Sequence, residues 1–524
     1  MMSKTLFSRR RILSVLKGMP LTAVPFIARS PAKASSTVAI THGFSVGEVT
    51  QRSAILWARL NGAGRMRVDL SRDEKFREFR SFLSDKAPQK RDFNIKVSLT
   101  GLEPAQRYFI RCGVIESKRN NLEFDDFSGE ILSGEFTSAT ESEEHNLRFL
   151  WSGDTCGQGY GIDTQQGGFL SYSSMSARKP DFFIHCGDQI YADNPIEATR
   201  TAEGGLVWKN WLEKGKLKVA ETAQEFRENF YYNFADVHLS KFHRQVPVYH
   251  MWDDHEVVNN WYPDEILQDD ARYTEKNVNV LAANAQRAFV DCLPVDDATF
   301  KNKPLYRYIS RGPLLDLFFV DLRTYRGKNS ENEQTVRSEE TAIFGDDQLS
   351  WLKRSLLDAK GLWKIVCIDM PISVLVKEWG ANISENAANS DGAPKGRELE
   401  YADLLGFIKK QDIRNVHFIT ADVHYCASYH CSPERAQFKR FKPFWEFVSG
   451  PLHAGTFGPN PMDNTFGPKA EFIGLPDSFE PGSSPATGLQ FFGEINIDAA
   501  SRTMSVAHHN RIGQKLWQIQ LDPE

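Results

Sequence analysis

Six short apolar segments between residues 148 and 420 constrain the fold of this 524-residue chain more than any other feature of its sequence. Stretches of helical length separate them, and this alternation predicts an α/β domain with buried strands. We predict that this domain covers residues 145–524. The predicted strands are Arg148–Trp151, Asp181–Cys186, Val246–Met251, Leu314–Val320, Trp363–Ile368 and Val416–Thr420.

Four of the six predicted strands run directly into polar residues at their C-terminal ends. Ligand sites in open α/β sheets lie beyond the carboxyl ends of the strands, so loops from distant parts of the chain can converge there. A strand followed by an ordinary polar turn could give one such loop, whereas four together indicate a shared site. The four loops are Gly153-Asp154-Thr155-Cys156, Gly187-Asp188-Gln189-Ile190-Tyr191, Trp252-Asp253-Asp254-His255-Glu256 and Ala421-Asp422-Val423-His424.

The first hundred residues after the N-terminal segment have a different pattern. Segments such as Ser53–Arg59, Arg65–Leu70 and Arg107–Cys112 are rich in β-forming residues and lie between Gly and Pro turn signals. The stretch Gly101–Pro104 followed by Tyr108 has the form of a fibronectin-type strand corner. We therefore predict an all-β sandwich of the fibronectin or immunoglobulin type over residues 38–140, with an acidic linker at residues 141–144.

Residues 1–34 have the order of an export signal. Ser8-Arg9-Arg10-Arg11 precedes an apolar stretch, Gly18–Ala28, and then an A-x-A site that ends at Ala34. The arginine pair favours a twin-arginine signal, which would require the twin-arginine translocase and deliver the protein to the periplasm or the medium. A general secretory signal and an uncleaved anchor are the alternatives, although the apolar stretch is shorter than the ~20 residues of a stable membrane span.

Charge and cysteine content exclude two further classes of protein. Cleavage after Ala34 would leave 56 Lys and Arg against 68 Asp and Glu, a net charge of −12, so a basic nucleic-acid-binding surface is not expected. The seven cysteines are few and odd in number, which argues against a disulfide framework. A single bridge between Cys426 and Cys431 stays open as an alternative.

The ordered set of loops resembles the calcineurin-like metallophosphoesterases and, within them, the alkaline phosphatase D (PhoD) family. This resemblance spans nearly the whole chain after the signal. It implies a sandwich followed by a catalytic domain of two packed β-sheets flanked by helices. Beyond the four loops, the similar segments are Gly47–Leu60, Asp321–Arg326, Asp391–Pro394, Gly396–Glu400 and Ser449–Gly458.

The resemblance also implies a site with two metal ions. Asp188 takes the position of the carboxylate that bridges the ions, and Tyr191 that of a phenolate ligand to the harder ion. Asp154 and His424 would complete the first ion's ligands. Two such ions, roughly 3.5 to 4 Å apart, would neutralise an anionic ester and activate water or hydroxide for attack on phosphorus.

On the second ion's side, Asp254 stands where the superfamily has asparagine, and Asp422 stands where it has its first histidine. This wealth of oxygen ligands favours Fe³⁺ with Ca²⁺ over zinc, although another divalent ion could take the second site. Cys156 is a further candidate ligand, with a small buried residue as its alternative. Asn259 is likewise a candidate ligand to the second ion or an ordinary polar residue near a turn.

Two residues are candidates for catalysis without being ligands. His255 is expected to act as a proton donor or to contact the transition state. Arg323 could hold a phosphate oxygen with its forked guanidinium, and a surface ion pair is its alternative. By contrast, His185 and Cys186 are expected to be packing residues, and Asp193 a turn or capping carboxylate rather than a ligand.

These features predict an exported, metal-dependent phosphoesterase that acts on small phosphate esters. A phosphodiesterase or phospholipase D of the same fold is the alternative within the enzyme class, since one metal core serves both reactions and loops such as residues 382–395 set the width of the pocket. An exported binding protein that uses only its sandwich is the alternative outside it. Retention of ionisable residues in all four loops favours the enzyme.

Overall fold

In the computed structural model, the described residues are 38–115, 127–297, 305–377 and 383–524. The predicted signal, residues 1–34, lies outside them. Asn382, the first residue of the loop predicted to set the width of the pocket, also lies outside them. Strands and helices are numbered here in chain order. Strands β1–β7 are Ile40–Gly47, Ser53–Leu60, Arg65–Ser71, Arg80–Leu83, Asn94–Thr100, Arg107–Ile115 and Phe127–Thr137.

These seven strands form two antiparallel sheets, with the order β1-β2-β5 in one and β4-β3-β6-β7 in the other. Their inward-facing side chains, including Leu56, Val68 and Ile110, form a single core between the sheets. The Tyr108 hydroxyl accepts a hydrogen bond from the backbone N–H of Glu103 at 2.8 Å, which fixes the predicted strand corner. The predicted β-sandwich is confirmed.

The rest of the chain contains two larger sheets. One has the order β12-β9-β8-β20-β21-β22 and the other β13-β14-β15-β16-β18-β17-β19, with a short β10–β11 hairpin outside both. Strands β8–β15 are Leu147–Ser152, Phe182–His185, Thr199–Thr201, Val207–Lys209, Val248–His250, Arg307–Ser310, Leu315–Phe319 and Trp363–Cys367. Strands β16–β22 are Val416–Thr420, Ala427–Cys431, Phe444–Val448, Pro468–Ile473, Phe491–Ile497, Met504–Asn510 and Lys515–Leu521.

The two large sheets pack face to face over an apolar core and carry helices on their outer faces. Trp151 and Ile184 of the first sheet share this core with Ile365 and Phe447 of the second. Helices α1–α4 belong to a core that includes first-sheet residues, and α5 and α6 to a core that includes second-sheet residues. Helices α1–α6 are Leu170–Ala177, Ala223–Phe234, Val237–His243, Val278–Cys292, Asp346–Asp358 and Glu398–Lys410.

All six strands predicted for the α/β domain are present, each within two residues of its predicted ends. Strands β8, β9 and β12 run parallel in the first sheet, and β14, β15, β16 and β18 run parallel in the second. The carboxyl ends of parallel neighbours lie at one edge of a sheet. This arrangement positions all four polar loops for convergence.

The described residues contain neither a disulfide bridge nor a membrane-spanning helix. All seven cysteines lie in the described ranges and all are buried, unpaired thiols, so the alternative Cys426–Cys431 bridge is not formed. Among the described residues, no helix has both the length and the apolar character needed to cross a membrane.

Candidate active site

The four polar loops meet because glycines let their backbones come close together. A Cβ atom on Gly153 would lie 2.7 Å from the Ala421 side chain, and one on Gly187 would lie 2.4 Å from the Cβ of Asp253. A Cβ on Gly450 would lie within 2.0 Å of Asp154 Oδ2. Any side chain at these positions would force the loops apart, which explains why glycine follows or precedes the polar residues here.

Several acidic and histidine residues of these loops adopt a left-handed backbone. The φ angles are 62° at Asp154, 53° at Asp188, 69° at Asp422 and 60° at His424. Such conformations cost on the order of 1–3 kcal/mol each and collect at functional sites, where the surrounding structure holds them. The local strain therefore serves to aim these side chains at one place.

The first group of converging side chains consists of Asp154, Asp188 and His424. One ligand atom from each lies within 4.8 Å of the others, and all three residues are buried. The His424 Nδ1–H donates to the Gly455 carbonyl at 2.5 Å, which leaves Nε2 as the atom that faces the group. The Tyr191 hydroxyl donates to this Nε2 at 2.8 Å, so the phenol belongs to the same cluster.

Two further groups continue from the first. Asp188, Asp254 and His255 form one, and Asp253, Asp254 and Asp422 form the other, under the same 4.8 Å limit. Asp188 is common to the first two groups and Asp254 to the last two. The carboxylates therefore form one continuous cluster in which Asp188 stands between two potential cation positions.

Burial and like charge make this cluster electrostatically unfavourable without cations. Burial, and then neighbouring carboxylates, raise the pKa values of Asp154, Asp188 and Asp422 well above the ordinary range. Burial and the charge of Asp188 likewise raise the pKa of Tyr191. The buried Oδ2 atoms of Asp154, Asp253 and Asp422 accept no hydrogen bond from any described residue. Oxygen atoms crowded together without donors fit a site for hard cations.

The guanidinium of Arg323 is embedded among the carboxylates of this cluster. Its Nε lies 2.6 Å from Asp253 Oδ1, and its Nη1 lies 2.7 Å from Glu385 Oε2. Its Nη2 lies 3.9 Å from Asp254 and 3.8 Å from Asp422. The side chain has no exposed surface, so the alternative of a surface ion pair does not hold.

His255 is held at the edge of the cluster by a carboxylate. Its Nδ1 lies 2.7 Å from Asp193 Oδ1, and its ring packs 4.2 Å from the Tyr191 ring. Burial alone would lower the pKa of His255, but the charges of Asp193 and Asp254 outweigh it and raise the pKa to about 9. The imidazole is therefore protonated at neutral pH, with its Nδ1–H donated to Asp193.

Eight of the ten predicted site residues come together in this cluster. They are Asp154, Asp188, Tyr191, Asp254, His255, Arg323, Asp422 and His424. Cys156 is buried nearby but joins none of the three groups. Asn259 has an exposed side chain, and it is the next residue, Asn260, whose backbone N–H donates to Asp254 at 2.6 Å.

Sequence reasoning missed four carboxylates that hold the site together. Asp193 positions His255 and Glu385 pairs with Arg323, while Asp369 lies 3.9 Å from the same guanidinium. Glu256 accepts backbone N–H bonds from Asp188, Gln189 and Asp253, tying two loops together. Asp193 and Glu256 carried a signal, since Glu256 ends one predicted loop and Asp193 lies two residues beyond another, whereas nothing local in the sequence distinguishes Glu385 and Asp369.

Comparison with known proteins agrees with this architecture. The family model for PhoD-like phosphatase matches residues 149–508, and the model for its N-terminal domain matches residues 27–122. The chain is 25% identical to alkaline phosphatase D of Bacillus subtilis (strain 168) over 463 residues, which cover 82% of this chain and 72% of that protein.

Two solved structures share the fold. A structure described as that of PhoD superposes with a TM-score of 0.68 at 18% identity, over 93% of this chain and 94% of the other. Purple acid phosphatase PPD1 from yellow lupin (Lupinus luteus) superposes with a TM-score of 0.51 at 11% identity, over 92% and 74%. With the family model matching more than half of its length, this chain belongs to the PhoD-like phosphatase family and is a phosphoric ester hydrolase.

Proposed function

We propose that this hydrolase depends on two metal ions, one held by Asp154, Asp188, Tyr191 and His424 and the other by Asp188, Asp254 and Asp422. The observation that carries the proposal is the continuous carboxylate cluster in which Asp188 belongs to two groups. When bound, the two ions supply positive charge for the anionic ester and Lewis acidity toward water. The orphaned carboxylate oxygens support this donor assignment.

In this proposal, His255 donates a proton to the oxygen of the departing alcohol. Its pKa of about 9 supports the role, since the ring carries a proton at neutral pH. Asp193 holds Nδ1, so the Nε2–H remains for the ester. His255 is also among the more exposed members of the cluster, at 8% exposure, which suits contact with a substrate.

We assign Arg323 a positioning role rather than contact with phosphate. Both Nε and Nη1 are engaged by Asp253 and Glu385, and the side chain has no exposed surface. A guanidinium in this place offsets the repulsion among the carboxylates that surround it. Arg323 therefore keeps Asp254 and Asp422 within reach of the second cation.

The donor set favours Fe³⁺ in the first position and Ca²⁺ or another divalent ion in the second. The proposed ligands of the first ion are two carboxylates, a phenol and one imidazole nitrogen, and those of the second are the carboxylates of Asp188, Asp254 and Asp422. Hard, oxygen-rich sites of this kind suit these ions better than they suit zinc. Cys156 and Asn259 have no place in this assignment.

Small phosphate monoesters are the proposed substrates, with phosphodiesters, including phospholipids, as the alternative. Support for the monoester comes from the relative named alkaline phosphatase D. We also propose export by the twin-arginine translocase to the periplasm or the medium, based on Arg9 and Arg10 before an apolar stretch.

Metal removal tests the proposed function. Dialysis of the purified protein against a chelator should abolish hydrolysis of an aryl phosphate monoester, and adding Fe³⁺ with Ca²⁺ should restore it, whereas Zn²⁺ alone should not. A bis-aryl phosphodiester assayed alongside decides between the two substrate classes. Full activity after complete metal removal would contradict metal dependence, and restoration by Zn²⁺ alone would contradict the proposed ions.

A further inference from the structure

The most exposed members of the cluster mark where a substrate enters. The side chains of His255 and Asp422 are each 10% exposed, whereas those of Asp154 and Asp188 are buried at about 1%. His424, at 5%, lies next to this opening and comes from the same loop as Asp422. Residues that pack on His424 therefore border the space an ester would occupy.

Phe457 is such a residue, and nothing in the proposed chemistry uses it. Its ring centre lies 5.5 Å from the His424 ring, with the two planes inclined at 57°. Its backbone N–H donates to the His424 carbonyl at 3.2 Å, so both residues move together. Its side chain is half-buried, unlike the fully buried phenylalanines of the cores.

Two glycines lie next to the half-buried ring. The nearest ring atoms would lie 3.5 Å from a Cβ on Gly455 and 3.8 Å from one on Gly482. Neither residue has a side chain that could cover the ring. The loop is nonetheless fixed, because Thr456 exchanges backbone hydrogen bonds of 2.8 Å with Ser483 and Gly482.

A half-buried aromatic ring on a fixed loop beside the proposed metal site is suited to a flat organic group. Stacking or edge contact between two aromatic rings contributes more favourable free energy than burial of the same apolar area alone. Gln158 lies against the same glycine, and its Oε1 accepts the Gly455 N–H at 3.1 Å, which places a polar side chain in the same region as the ring.

We infer that Phe457 is a specificity-determining residue that holds an aromatic or heteroaromatic group of the phosphate ester. This inference rests on the proposed hydrolysis at the adjacent cluster. It predicts that the enzyme prefers esters of flat aromatic alcohols over esters of saturated alcohols of the same size and acidity.

Three monoesters isolate the contribution of the ring. Benzyl phosphate and cyclohexylmethyl phosphate have alkoxide leaving groups of similar size and basicity, and only the first is flat, while methyl phosphate has no ring. The expected kcat/KM for benzyl phosphate exceeds that for cyclohexylmethyl phosphate by roughly 3- to 30-fold. Phe457→Leu should remove this preference and leave methyl phosphate turnover within about twofold, while Phe457→Trp should retain the preference.

Phe109→Leu serves as the matched control, because Phe109 is also half-buried but lies in the N-terminal sandwich. It should change none of the three rates. Equal kcat/KM values for benzyl phosphate and cyclohexylmethyl phosphate in the wild type would overturn the inference, while the proposed hydrolytic function would still stand. An equal loss on all three esters in Phe457→Leu would also overturn it, since the ring would then only support His424. Failure of the wild type to hydrolyse any ester would instead count against the proposed function.

Discussion

Among single residues, Tyr191 gives the most visible test of the proposed metal identities. Its hydroxyl lies 2.8 Å from His424 Nε2 within the first group. A phenolate bound to Fe³⁺ absorbs broadly in the visible range, so the purified protein should be coloured and Tyr191→Phe should bleach it. An absorption spectrum with metal analysis of both proteins provides the measurement. A colourless, active wild type that contains only zinc would be incompatible with the proposal.

His255 and Asp193 allow a second test at this scale. A positioned acid typically contributes ~100- to 10,000-fold in rate, so His255→Ala should reduce kcat within that range and leave the metal content unchanged. Asp193→Asn should cost less, because the imidazole remains.

The pH profile separates positioning by Asp193 from a merely structural role. Asp193 raises the pKa of His255, so Asp193→Asn should move the alkaline limb of kcat to lower pH. Asp163→Asn provides a control, since Asp163 is also buried and its carboxylate accepts backbone N–H groups away from the cluster. An unchanged limb in Asp193→Asn would show that Asp193 does not set the protonation of His255.

At the scale of elements, the loops at the strand ends make the metal-free fold sensitive to pH. Burial raises the pKa of Asp369 to about 8 and that of Glu256 to about 7. These two carboxyl groups bind more protons in the folded state than in the unfolded state between about pH 4 and pH 8, so their own contribution to stability falls as pH rises through this window. Buried histidines with lowered pKa values, such as His185 and His243, contribute with the opposite sign at the acidic end of the window.

Thermal unfolding with and without cations tests this contribution of the buried carboxyl groups to stability. Adding cations to the metal-free protein should raise its Tm more at pH 8 than at pH 5. The reason is that bound cations compensate ionised carboxylates, which are more numerous at the higher pH. An equal effect of cations on Tm at both pH values would contradict this account of the cluster.

The same elements show how much the sequence could predict. Mostly apolar runs such as Phe182–His185 were sufficient to locate strands, since a strand that is buried on both faces needs mostly apolar side chains. The loop residues after them could be predicted because parallel topology brings strand ends together. The pairing of Arg323 with Glu385 could not be predicted, because these residues come from separate segments that only the tertiary fold joins.

The choice between Asn259 and Asn260 shows the same limit of prediction from sequence. Asn259 and Asn260 are identical in type, and no sequence pattern says which of them turns toward Asp254. The left-handed backbone at Asn260, with φ of 57°, directs its N–H to that carboxylate and leaves Asn259 exposed. Loop conformation of this kind depends on packing around the loop rather than on local propensity.

For the whole molecule, export is the property that the N-terminal sequence predicts. Changing Arg9→Lys together with Arg10→Lys should trap folded precursor in the cytoplasm, because the twin-arginine route requires the pair. Cell fractionation with an activity assay measures the distribution, and Arg29→Lys, outside the pair, is the matched control. Normal export of the double variant would assign the protein to the general secretory route.

The account of the whole molecule depends on Asp188, which belongs to two of the three groups and is proposed to stand between two cations. Asp188→Asn keeps the size of the side chain and removes the charge that both ions would share. The most direct measurement is therefore the metal content and phosphoesterase turnover of this variant beside the wild type. We predict that metal content falls and that turnover of both monoester and diester is abolished. Near-normal turnover with full metal content would contradict the shared-carboxylate site.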